Sequence, residues 1–194
     1  MRLAILLSGR GSNFEAIHRA FADQIVCVIS NRPEAAGLKK ARDFGLTAHA
    51  IDHRKFPTRE AHEEEVLRVL AESEPDFICL AGYMRLLSAG FVAAYPHRIL
   101  NIHPSLLPAF PGVDAQAQAL AYGVRVSGCT VHFVDENLDA GPIVVQRSVE
   151  VRDNDSADAL AARILEQEHI AYVEALQKLS TRSWRIDGRR VIFE

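Results

Sequence analysis

Apolar runs and helix-spaced stretches alternate through the first half of the chain. Leu3–Leu7 is unbroken apolar sequence and predicts a buried strand, closed by Ser8-Gly9-Arg10-Gly11-Ser12-Asn13. Phe14, Ile17 and Phe21 then recur at helical spacing over residues 14–22. Residues 25–29 repeat the strand pattern, a helix is expected from the following Ser-Asn-Arg-Pro-Glu-Ala turn to Phe44, and Gly45 stops it. Residues 47–51 predict a third strand, 59–71 a charged amphipathic helix and 77–81 another buried strand. Residues 86–94 read as helix, 99–102 as strand and 113–122 as helix. This rhythm predicts an α/β fold of Rossmann-like type, a mainly parallel open sheet with helices on both faces.

After residue 126 the rhythm changes. Two longer strands flank Asn137-Leu138-Asp139-Ala140-Gly141, a long helix over 156–179 opens on Ser156 as its cap, and a small hairpin turns at Asp187-Gly188. No repeat, low-complexity tract or linker interrupts the sequence. We therefore expect a single domain over 1–194, built from halves 1–100 and 101–194.

Ligands of open α/β sheets gather beyond the carboxyl ends of the parallel strands. Three polar clusters fall there: residues 8–13, 82–85 and 101–105. In the first, Gly9 and Gly11 allow a tight turn, and the N–H groups of the next helix can face an anion. A plain turn capped by Ser12 or Asn13 fits the same letters. In the third, Asn101 and His103 place a donor amide and a group titrating near ~6.5 at one strand end. That pairing suits acyl transfer through a tetrahedral oxyanion. His132, between Val131 and Phe133, fits an ordinary strand position. Asp139 before Ala-Gly-Pro fits a turn, Glu168-His169 a solvated helix face and Arg59 a surface ion pair. His103, His132 and Asp139 lack any established metal-ligand spacing, so no metal is expected.

Composition narrows the classes. With 48% hydrophobic and 24% charged residues among 194, the chain is globular rather than disordered. A net charge of −3 without a basic block argues against a nucleic-acid partner. No apolar run approaches the ~20 residues of a membrane span, and the N-terminal apolar stretch is shorter than a signal core of ~7–15. Cys27, Cys79 and Cys129 are an odd, scattered set, as expected of buried thiols in a reducing compartment, hence a cytoplasmic location.

Five segments carry a resemblance: SGRGSN at 8–13, AGYMRLLS at 81–88, NIHPSLLPAFPG at 101–112, GCTVHFVDENLDAGPIV at 128–144 and QEH at 167–169. Together, in this order and across nearly the whole chain, they resemble the phosphoribosylglycinamide formyltransferase family of folate-dependent formyltransferases. The resemblance implies transfer of a formyl group from 10-formyltetrahydrofolate, as co-substrate, to the amino group of glycinamide ribonucleotide in purine biosynthesis. It implies Asn101, His103 and Asp139 as the catalytic set, with Asn101 on the formyl oxygen and Asp139 favouring the charged form of His103. It implies Gly11, Ser12 and Asn13 on the nucleotide phosphate and Glu168 on the ribose. Met84, Arg85, Leu86 and Leu87, with Asn101, would line the folate site under the 135–141 loop, and Arg59 would meet the acidic folate tail. Small-molecule substrates, no nucleic acid and no membrane follow, and a homodimer stays open. Two positions depart from the pattern: Arg10 stands where members often carry Asn, and neither Asp114 nor Gln116 is His, so residues 113–118 receive no catalytic role.

Rivals on the same fold are weaker. Formyltetrahydrofolate deformylases usually add an N-terminal regulatory domain and carry His-His where this chain has His103-Pro104. Methionyl-tRNA formyltransferases add a C-terminal RNA-binding domain. A non-catalytic binding module is expected to lose one of Asn101, His103 or Asp139. An NAD-dependent oxidoreductase needs a third glycine and an acid after the second strand, where Ser30 and Asn31 stand instead.

Overall fold

The computed structural model describes residues 1–194. The chain divides into two compact units, Met1–Leu100 and Asn101–Glu194. In the first, β1 (Leu3–Leu7), β2 (Ile25–Ser30), β3 (Ala48–Ala50) and β4 (Phe77–Leu80) stand in the order β3-β2-β1-β4, all parallel. Helices α1 (Ser12–Phe21), α2 (Ala36–Asp43) and α3 (Arg59–Ser73) connect them, and α4 (Ala89–Ala94) follows β4. Every residue of β1 is buried, as a strand paired on both edges and covered on both faces must be. Phe14 and Ile17 of α1, Leu38 and Ala41 of α2, and Val66, Val69 and Leu70 of α3 supply the apolar cover.

Strand β5 (Ile99–His103) carries the boundary between the units. In the second unit the order is β5-β6-β7-β9-β8, with β6 (Val126–Phe133) antiparallel to β7 (Ile143–Glu150). The long helix α6 (Ala157–Thr181) packs on β6 and β7. Its N-cap is Ser156, whose hydroxyl accepts from the Ala159 N–H at 3.1 Å. The terminal hairpin pairs β8 (Trp184–Asp187) with β9 (Arg190–Phe193), and β9 lies parallel to β7 at Ile143 and Arg190. The mainly parallel open sheet, the long helix and the hairpin agree with the expected fold class.

Two expected helices begin later than their apolar pattern suggests. Residues 86–88 are not helical, because α4 starts at Ala89 with the Ser88 hydroxyl capping the Phe91 N–H at 3.1 Å. Val113 and Asp114 likewise precede α5 (Ala115–Tyr122), since Asp114 takes a left-handed φ of 56° that a helix cannot continue through. All three cysteines are buried and none forms a disulfide, as expected. No helix is long and apolar enough to cross a membrane.

Candidate active site

Asn101 and His103 lie on β5, where buried Ile102 separates them and both side chains leave by one face of the strand. The loop after β5 turns back on this end. The Thr130 hydroxyl on β6 donates to the Ser105 carbonyl at 2.7 Å and accepts from the Leu107 N–H at 3.0 Å. Gln146 on β7 donates to the Leu107 carbonyl at 2.8 Å. This frame carries the Phe110 carbonyl to 2.8 Å from His103 Nε2, which donates to it. The loop after β5 thus presents a backbone carbonyl to the histidine.

Asp139 meets the other ring nitrogen. Its Oδ2 lies 3.4 Å from His103 Nδ1 and accepts from the Gly112 N–H at 2.8 Å. Asp139 holds a left-handed φ of 49°, a conformation that aspartate tolerates better than most residues. Both nitrogens of buried His103 therefore face oxygen atoms.

The second histidine is wired the opposite way. His132 Nδ1 donates to the Phe133 carbonyl at 2.9 Å, which leaves Nε2 as an acceptor 3.2 Å from Asn101 Nδ2. Burial holds the His132 imidazole below its ordinary range, although the Asp139 charge pulls the other way. Asp139 Oδ1 is 3.8 Å from His132 Nε2. A neutral His132 thus orients the Asn101 amide, with one Nδ2 proton pointing to the imidazole. This is the residue that sequence reasoning passed over. Its alternation with Val131 and Phe133 signalled only a strand, and a β-bulge between Val131 and His132 distinguishes it locally. His103, His132 and Asp139 do gather, yet no three His, Cys, Asp or Glu residues are arranged to hold a metal ion.

Glu168 sits on α6 and is buried, so the solvated-face alternative fails for it. In the first unit, Gly11 is the residue before α1, with φ 75° and no side-chain cap on the helix. Neither Ser12 nor Asn13 caps it; they form its first turn, where N–H groups lack intrahelical acceptors. A Cβ on Gly11 would lie 2.7 Å from Gly37 Cα, and the Gly37 N–H donates to the Gly9 carbonyl at 2.9 Å. The glycine loop is therefore pressed against the first turn of α2. Lys40 of α2 adds a bond to the Arg10 carbonyl at 3.1 Å and an ion pair with Glu15. Met84, Arg85, Leu86 and Leu87 form the irregular segment between β4 and α4. The Ser8 N–H donates to the Gly82 carbonyl at 3.0 Å, so the loops after β1 and β4 meet. Arg59 opens α3 and pairs with Glu60 at 3.2 Å on the surface.

Comparison with known proteins gives this geometry its relatives. The sequence profile of the formyl transferase family matches residues 1–176. The phosphoribosylglycinamide formyltransferase of Escherichia coli is 40% identical over all of this chain and 91% of its own length. The trifunctional purine biosynthetic protein adenosine-3 of Drosophila melanogaster is 46% identical over 92% of this chain, which spans only 14% of that longer protein. The crystal structure of glycinamide ribonucleotide transformylase 1 from Symbiobacterium toebii superposes with a TM-score of 0.96 at 44% identity, covering 100% of this chain and 93% of that one. The chain belongs to the formyl transferase family.

Proposed function

We propose that the chain transfers the formyl group of 10-formyltetrahydrofolate to the amino group of glycinamide ribonucleotide, giving formylglycinamide ribonucleotide for purine biosynthesis. The observation that carries this reading is the oriented Asn101 amide beside a histidine held between a carbonyl and a carboxylate. The names of the bacterial relatives support the substrates. Attack by the ribonucleotide amine on the formyl carbon makes the new C–N bond and turns the formyl oxygen into an oxyanion. The second Nδ2 proton of Asn101 meets that oxygen, and the His103 side chain supplies positive charge and a proton beside it. Collapse breaks the bond to the folate nitrogen, which gains a proton as the attacking amine loses one. Asp139 orients His103 through its Nδ1 side. Gly11, Ser12 and Asn13 hold the phosphate at the start of α1, and Glu168 accepts from the ribose hydroxyls. Met84, Arg85, Leu86 and Leu87 line the pterin site, and Arg59 meets the folate tail.

A spectrophotometric assay of folate product, with and without glycinamide ribonucleotide, tests the reading. Turnover should require the amine. Product release that ignores the amine would make the chain a deformylase instead.

A further inference from the structure

Two buried polar groups of the first unit have no part in the chemistry above, and both end on the same segment. Ser8, at the end of β1, donates its hydroxyl proton to Asn31 Oδ1 at 2.6 Å. The Ser8 oxygen then accepts from the Met84 N–H at 2.8 Å. Asn31 is fixed in turn by His53, whose Nδ1 lies 2.8 Å from the Asn31 carbonyl. At the other end, Glu63 of α3 is a buried carboxylate. It accepts from the Ser88 N–H at 2.9 Å through one oxygen and from the Ser88 hydroxyl through the other. Ser88 passes the constraint on by capping α4. The residues between these two ties are not helical, yet Met84 and Leu86 hold large apolar side chains 71% and 64% exposed. A short irregular segment is thus fastened by side chains at both ends while presenting apolar surface outward.

We infer that Ser8 and Glu63 are positioning residues that clamp residues 84–87 and thereby set affinity for the pterin. This rests on the proposed placing of the pterin against that segment. Exposed loops ordinarily lose entropy on binding. A segment held in advance by a neutral hydrogen bond and a bidentate carboxylate does not, so affinity rather than the chemical step carries the effect.

The test uses Ser8→Ala, Ser8→Thr, Glu63→Gln and Ser88→Ala in the full chain, with thermal unfolding to confirm that each is folded. Ser8→Ala should raise KM for the formyl-folate roughly 3- to 10-fold, with kcat and the KM for glycinamide ribonucleotide unchanged. Ser8→Thr keeps the hydroxyl and should restore the affinity. Glu63→Gln should do at least as much as Ser8→Ala, and Ser88→Ala, which removes only the hydroxyl tie, should do less. Amide hydrogen exchange should quicken at Met84 in Ser8→Ala and at Ser88 in Glu63→Gln. Unchanged exchange at these amides, or an equal rise in both KM values, overturns the clamp. Wild-type protein that shows slow exchange at Met84 and Ser88 but no folate-dependent turnover would overturn the pterin reading and leave the clamp standing as a structural device alone.

Discussion

Asn101 has two amide protons, and His132 accepts one of them. On the proposed mechanism Asn101→Ala removes the other from the developing oxyanion, so kcat should fall by ~10²–10³-fold with little change in either KM. A normal kcat with a poor KM would make Asn101 a binding residue. Asp139→Asn keeps shape but loses charge beside His103 Nδ1, so kcat should fall while nucleotide affinity, measured by titration, is kept. His132 makes a prediction of the opposite kind. Burial depresses its affinity for a proton, so the midpoint of its NMR titration should lie below the ~6.5 of a free imidazole. The sign for stability follows: the unfolded chain takes up the proton that the folded chain refuses. This contribution is complete above the ordinary value and is lost as pH falls below it. At this scale the Asn101–His103 pair was legible as a candidate from its residue types, whereas Asp139 read as a turn residue and joined them only through the resemblance; the structure brings it to His103. His132 was not, because alternation reports which face a side chain occupies and is silent on which nitrogen is protonated.

At the scale of elements, the turn before α1 rests on two glycines that touch. Gly11→Val puts a branched side chain at φ 75° and onto Gly37 Cα, so nucleotide affinity should drop while folate affinity is kept. Equal loss of both, in parallel binding titrations, would mean that the loop is only structural. The glycines of this loop were legible, but Gly37 was not, since its close approach to Gly11 comes from folding α2 back onto the loop. Apolar spacing over 86–94 and 113–122 overran the true helix starts. Ser88 carried the missing signal as an N-cap, whereas the left-handed backbone at Asp114 had none in its letters. Ser156 was read correctly from sequence. Replacing it with Ala should cost ~1 kcal/mol and lower the Tm by about 2–4 °C in a thermal scan.

At the scale of the whole molecule, the fold class followed from the βα rhythm, because a parallel pair needs a crossover, whereas the strand order had no signal in the letters. The change of rhythm after residue 126 located the antiparallel pair β6–β7. The thiols report on global opening. Cys27, Cys79 and Cys129 are fully buried, and burial pushes the Cys129 thiol up to about 12. A thiol reagent should therefore leave the folded protein untouched and modify all three cysteines in denaturant, counted by absorbance. Rapid labelling of one thiol under native conditions would show a unit that opens locally.

The outward-facing Met84 has a further consequence, in redox chemistry. The chain has two methionines, and Met84 is the strongly exposed one. Peroxide would convert its thioether into a polar, chiral sulfoxide. On the proposed placing of the pterin, that oxygen would stand on the surface the ring meets. On the proposed placing of the two substrates, a preparation ageing in air would lose affinity for its one-carbon donor and keep that for the nucleotide. A reductase specific for methionine sulfoxide would restore the donor affinity, so that the oxidation history of a sample becomes readable in a single Michaelis constant.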